Sequence, residues 1–141
     1  LVELEQLKDK ARTVQRGNGN LMDDASYKSK VGELEIDLLA TEFTELRSLA
    51  SAAAGGEPGP ESSILKLKGT EIKQRIQTLT VEASGIYASA WGDKGAGPSF
   101  AKGGTAGYLN SRYFTIYGGA SEVQKDIVAK KVLGLTSSKS K

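Results

Sequence analysis

Residues 61–86 read ESSILKLKGTEIKQRIQTLTVEASGI. Leu65, Ile72, Ile76, Leu79, Ala83 and Ile86 stand three, four or seven positions apart, which gathers them into one seam of a helix. Pro60 supplies the fixed φ of a first helical turn, and Glu61 follows where the positive end of the helix dipole favours an acid. A seam of this length needs other helices to cover it, so the stretch predicts the core of an antiparallel bundle.

Upstream, Gly55-Gly56-Glu57-Pro58-Gly59-Pro60 must end any helix before it. That helix is predicted over Ser26 to Ala54, with Val31, Leu34, Leu38, Phe43, Leu46, Leu49 and Ala53 as its apolar stripe. Gly32 weakens its start by about 1 kcal/mol relative to Ala. Leu1, Leu4, Leu7, Ala11 and Val14 mark a further helix over Leu1 to Gln15. It stops at Gly17-Asn18-Gly19-Asn20, where positive φ is readily taken. Asp23, Asp24 and Ser26 are then N-cap candidates for the long helix.

Downstream, Trp91 to Gly107 is glycine-rich and predicted to be a loop. It is no phosphate cradle of the P-loop kind, because no Gly-Lys-Ser/Thr follows and no strand precedes it. A short helix over about Thr105 to Ile116 presents Leu109, Tyr113 and Ile116 on one side, then meets a tight turn at Tyr117-Gly118-Gly119. Ser121-Glu122-Val123-Gln124 has the spacing of a capping box. Glu122 and Asp126 near the start and Lys130 and Lys131 near the end match the dipole of a last helix. Val123, Ile127, Val128 and Val132 are its expected buried face, and Gly134 its end. Thr136 to Lys141 is a polar tail expected to be disordered. No alternating pattern predicts a strand. The fold class is all-α: an up-down four-helix bundle with a short connecting helix, forming one domain over residues 1–135.

Composition narrows the chemistry. Among 141 residues there is no histidine and no cysteine. A His-based triad, a His general base, thiolate metal sites and disulfides are thereby excluded, leaving only oxygen ligands for a metal. Nineteen basic and seventeen acidic residues give +2, mixed along the chain, so no basic stripe points to nucleic acid. No apolar run approaches the roughly 20 residues that span a bilayer. No signal-peptide pattern opens the sequence, and a cytoplasmic location is expected. The sequence opens at Leu1 inside a helical pattern already under way, as expected of a processed or excised piece.

Candidate bases are therefore carboxylates. Glu33, Glu35, Asp37, Glu42, Glu45, Glu71 and Glu82 lie along helices and read as solvated charges. Asp23-Asp24 could hold a cation or cap a helix. Tyr108, Tyr113, Phe114 and Tyr117 could pack a core or stack on a planar ligand. The sharpest local feature is Tyr117-Gly118-Gly119-Ala120-Ser121. Two glycines allow close backbone approach, and a helix N-terminus behind them offers unpaired N–H groups to an anion or a polar ring edge.

Arg112 to Leu135, RYFTIYGGASEVQKDIVAKKVLGL, resembles the C-terminal signature of acyl-CoA dehydrogenases. Pro58 to Glu71, PGPESSILKLKGTE, is similar to the start of the third helix in the branch of pimeloyl-CoA dehydrogenase large subunits and actinobacterial steroid-side-chain enzymes. The resemblance covers nearly the whole chain, but only the C-terminal helical domain of such an enzyme. It implies FAD-dependent α,β-dehydrogenation of an acyl-CoA thioester, with electrons passed to an electron-transfer flavoprotein. The flavin would carry the redox chemistry while protein supplies orientation and a base. The helical bundle would contribute flavin contacts and the interface of a homo- or hetero-oligomer.

Carried over by residue, Gly119 lines the acyl-CoA site, while Ala120, Ser121 and Glu122 contact FAD at the helix N-terminus. Gln124 shares that signature and is equally a capping-box partner. Arg16, or Arg12, is a loose counterpart of a flavin-contacting arginine in the first interhelical loop. Three positions depart from the pattern. Gly118 stands where many members carry the catalytic glutamate, Ala120 stands where a threonine is common, and the Gln-x-x-Gly-Gly-x-Gly flavin motif is not recognisable around Trp91 to Gly104. Other members place the base on an earlier helix, outside this sequence, so no catalytic residue is assigned here. The alternative expectation is a non-catalytic subunit of a heteromeric dehydrogenase.

Overall fold

The computed structural model describes residues 2–56, 59–89 and 96–135. Expectations for Trp91, for Pro58 and for the tail from Thr136 fall outside these residues. The described chain is helical: α1 (Val2–Thr13), α2 (Ala25–Ala53), α3 (Glu61–Ser84), α4 (Gly104–Asn110) and α5 (Ser121–Lys131). The all-α class is as predicted, with one addition. Gln15–Arg16 (β1) and Gly19–Asn20 (β2) pair antiparallel through a two-residue turn. Gly17 holds φ of 56° at the first turn position, the place where a type II′ hairpin requires a left-handed residue. Strands of two residues carry no period, so alternation could not have shown them.

Two compact units make up the chain. The first joins Leu1–Leu38 with Ile72–Arg112; the second joins Leu39–Glu71 with Tyr113–Lys141. Every buried large apolar side chain among the described residues belongs to the first. Leu4, Leu7 and Ala11 from α1, Tyr27, Val31 and Leu34 from α2, and Ile72, Ile76, Leu79 and Ala83 from α3 form one cluster with Leu21. Its edges are covered by Val14, Met22, Leu38 and Phe100. Lys30 pairs with Glu82 and Asp37 with Arg75, so partners on α3 fall in number as those on α2 rise. Within this unit the two helices are therefore antiparallel. Tyr27 closes the centre: its buried hydroxyl donates to the Leu79 carbonyl at 3.0 Å, and burial pushes the phenol pKa well above the ordinary tyrosine range.

Local signals set the entry to α2. The Asn20 side chain accepts from Met22 N–H, and Asp23 accepts from the Asn20 N–H, both at 2.9 Å, forming a capping box around the short 3₁₀ turn Leu21–Asp23. Asp24 then caps α2, accepting from the Tyr27 N–H at 3.0 Å. The Asp23-Asp24 pair is thus a pair of caps. Among the described residues no group of three or more His, Cys, Asp or Glu could hold a metal ion. None of the described helices is long and apolar enough to cross a membrane.

The second unit departs from the predicted core. Phe43, Leu46 and Leu49 on α2 are exposed, Phe43 by 71%, and so are Val123 on α5 and Val132 at its C-cap. In the first unit Ile86, the last seam residue of the 61–86 stretch, is exposed as well, because α3 ends at Ser84 and Gly85–Ser89 continues as 3₁₀ helix. Helical periodicity records which residues share a face but does not say what covers that face. The predicted helix over Thr105 to Ile116 is split as well, into α4 and a 3₁₀ turn, Ser111–Thr115.

Leu34→Ala in the buried cluster should lower the unfolding free energy by about 3 kcal/mol, and Tyr27→Phe by about 1 kcal/mol. Phe43→Ala on the exposed half of α2 should stay within about 0.5 kcal/mol; urea denaturation measures all three. The Tyr27 N–H bond to Asp24 is the main cause that lowers its carboxyl pKa below the usual 3.8. Its contribution is therefore present above the unfolded pKa and lost as pH falls through the lower folded value. The difference in thermal midpoint between wild type and Asp24→Asn should be full above about pH 5 and shrink in acid.

Candidate functional site

The candidate site is built at the start of α5. Its first i→i−4 bond runs from the Gln124 N–H to the Ala120 carbonyl at 3.0 Å. The amides of Ser121, Glu122 and Val123 therefore have no acceptor within the helix. Ala120 is the N-cap residue, with extended ψ and no side chain able to cap. The capping box predicted between Ser121 and Gln124 is accordingly not formed. The helix begins one residue earlier than that box requires, which puts Ser121 inside the first turn and Gln124 one position too late.

Two consecutive left-handed glycines turn the chain into this helix, Gly118 at φ 67° and Gly119 at φ 96°. Only glycine enters that region without steric cost. A side chain built at 118 would meet no atom within 4 Å, so the turn is open on that side. At 119 the same construction overlaps the Gln124 carboxamide nitrogen. Gly119, Ala120, Ser121 and Gln124 are half-buried, and Gly118 and Glu122 are exposed.

Ahead of the turn, Tyr113, Phe114 and Tyr117 form a triad of tilted rings with centroids 4.6, 5.0 and 5.7 Å apart. Tyr117 is exposed by 57%, so this cluster is no closed core. The Phe114 carbonyl is held from α3: Lys66 Nζ donates to it at 2.9 Å, and the Thr70 hydroxyl at 3.5 Å. These anchors were not singled out from the sequence, although their i, i+4 spacing puts Lys66 and Thr70 on one face of α3. Tyr108 is elsewhere, in the first unit, with the Arg112 guanidinium 4.4 Å above its ring.

Arg16 also lies in the first unit, on β1, with its Nε 3.9 Å from an Asp24 carboxylate oxygen and most of its side chain exposed. It borders a cleft of about 480 Å³ shared with Val14, Ser84, Gly85, Tyr87 and Pro98. The stretch from Gly118 to Gln124 is brought together at one turn; Arg16 belongs to a different unit.

Residues 2–133 match the family model for the acyl-CoA dehydrogenase C-terminal domain. The chain therefore belongs to that family, as its C-terminal signature predicted. It is 26% identical over 117 residues to acyl-CoA dehydrogenase FadE34 of Mycobacterium tuberculosis, covering 83% of this chain and 15% of that protein. The fold is also that of a solved FAD complex of PigA, with a TM-score of 0.74 at 18% identity over 92% of this chain and 32% of that one. The ChsE4-ChsE5 complex of Mycobacterium tuberculosis gives a TM-score of 0.73 at 23% identity, over 96% of this chain and 35% of that one. The chain thus spans between 15% and 35% of the length of these proteins.

Lys66→Met removes the charged donor to the Phe114 carbonyl and should cost about 1 kcal/mol. It should also speed amide exchange at the aromatic turn while leaving the buried cluster of the first unit unaffected; hydrogen exchange resolves the two regions.

Proposed function

We propose that this chain is the flavin-contacting domain of an FAD-dependent acyl-CoA dehydrogenase, whose parent protein oxidises an acyl-CoA thioester between its α and β carbons. The observation that carries the proposal is the turn at the start of α5. Three helix-end amides lie beside a double-glycine turn that is open at Gly118, inside the stretch matched to the family. Such a donor array fits the polar edge of a ring system or an anionic group. Ala120, Ser121, Glu122 and Gln124 are the proposed FAD-binding residues, with Arg16 as a separate flavin contact. Ala120 contributes through its backbone, since its methyl group has no polar atom. Gly119 is proposed to face the acyl-CoA.

When bound, FAD would supply the acceptor for the β-hydride. What the chain itself supplies is orientation, through the amides of the first turn, and a fixed backbone ahead of them, through the Lys66 hold on Phe114. The base is proposed to lie outside this chain, because Gly118 has no side chain to take a proton. The exposed apolar side chains Leu39, Phe43, Leu46 and Leu49 support assembly into an oligomer through α2. An electron-transfer flavoprotein is the proposed acceptor of the electrons, and the cytoplasm the proposed location.

The test compares this chain with its full-length parent, each supplied with FAD, an acyl-CoA and an artificial electron acceptor. The parent should purify with bound flavin that bleaches on adding thioester, and should turn over; the chain alone should not. A parent that neither retains flavin nor bleaches would defeat the proposal. Turnover by this chain alone would overturn the placement of the base.

A further inference from the structure

We infer that α2 carries a docking seam for a second copy of this chain, laid antiparallel along it. Ile36, Leu39, Phe43, Leu46, Ala50 and Ala53 stand alternately three and four residues apart, an unbroken heptad a/d pattern on one helix. All six are exposed. They are not the stripe that builds the core. Tyr27, Val31 and Leu34 enter the buried cluster, and Phe43 lies about two and a half turns beyond Leu34, on the opposite side of the helix. α2 therefore has two apolar stripes, of which the chain itself buries one. The other has the period of a coiled-coil seam, and what fills a seam of that period is another helix.

Side-chain size selects the occupant and its direction. The first four seam positions are large and the last two are alanine. An antiparallel pair, with its two-fold axis between Thr44 and Glu45, sets Ile36 against Ala53 of the second copy, Leu39 against Ala50 and Phe43 against Leu46. Every layer then joins an a position to a d position, and outside the central Phe–Leu layers every large side chain meets an alanine. That self-complementarity is what a two-fold contact between identical surfaces requires. A parallel pair would crowd Phe43 onto Phe43 and leave alanine facing alanine at Ala50 and Ala53. It would gain a rim ion pair between Glu42 and Arg47, which is worth about twofold in an equilibrium constant. An unfilled layer of leucine size costs about thirtyfold, so packing decides for the antiparallel arrangement. The inference rests on the oligomer reading above and gives that assembly its surface and register. A contact of six side chains per copy is of the small class that dissociates on dilution, so unfolding of the buried cluster in dilute solution is independent of it.

The experiment uses the whole chain, which has no cysteine of its own. Leu39→Cys and Ala50→Cys, both at exposed positions, are made as separate chains and oxidised singly and as an equimolar mixture. In the antiparallel pair, identical positions stand about 16 Å apart along the axis, beyond the reach of a disulfide, whereas 39 and 50 of opposite copies share a layer. The mixture should therefore give about tenfold more disulfide-linked dimer than either variant alone. Adding Leu46→Glu to both chains should abolish that excess. Light scattering on the unsubstituted chain at the same concentrations reads assembly itself. A dimer whose variants cross-link as readily alone as mixed, or not at all, overturns the antiparallel seam and leaves the oligomer reading standing. A chain that is monomeric at every concentration overturns both. No flavin enters these measurements, so FAD binding by the parent is tested separately.

Discussion

The structure depends on how unevenly apolar burial is distributed along its longest helices. α2 runs for 29 residues, yet its buried side chains, Tyr27, Val31 and Leu34, all fall in the first third. α3 mirrors this, burying Ile72, Ile76, Leu79 and Ala83 from its midpoint onward. The antiparallel pairing within the first unit brings those two segments together and lets α1 complete the cluster. Tyr27 is fully buried in this cluster, and its hydroxyl donates to the Leu79 carbonyl, which makes burial of a phenol tolerable. Ion pairs flank the cluster, Lys8 with Glu35, Lys30 with Glu82 and Arg75 with Asp37. Being partly solvated, they align the helices more than they strengthen the fold.

The second unit obeys a different constraint. Its organisation rests on backbone geometry and on hydrogen bonds to carbonyls. The aromatic turn is held by Lys66 and Thr70 through the Phe114 oxygen, the chain then reverses at two left-handed glycines, and α5 begins without a capping side chain. The last of these steps leaves the amides of Ser121, Glu122 and Val123 without an acceptor in their own helix. Such exposure would be a defect in a core, but it is what a domain needs if it contributes part of a cofactor pocket.

Much of this was legible in the sequence, for identifiable reasons. Residues three and four apart marked the long helices, and glycine and proline runs placed the ends of those within about two residues, whereas the short helix expected over Thr105 to Ile116 is split after Asn110. The first-unit core followed from Leu4, Leu7, Ala11, Val31, Leu34 and the Ile72–Ala83 seam. The family was legible in residues 112–135 because a long stretch of fixed spacing is far more specific than any single pair. What could not be read were features set by three-dimensional neighbours. Phe43 and Val123 show the periodicity of buried residues yet are exposed; Tyr27 is central to the cluster yet is absent from the apolar stripe. Ser121 and Gln124 have capping-box spacing, but the helix starts one residue too soon. The roles proposed for Arg16, Gly119 and the α5 amides rest on resemblance and chemistry together.

The bare aliphatic and aromatic side chains of α2 beyond Leu38 carry a practical meaning for handling this protein. Leu39, Phe43, Leu46 and Leu49 recur every three or four residues, so they line up as a greasy strip along a helix without β-branched residues at those positions. Colloidal behaviour is then governed by the half of the helix that contributes nothing to the buried cluster. Changes made there to improve expression or crystal growth would leave the fold's foundation intact.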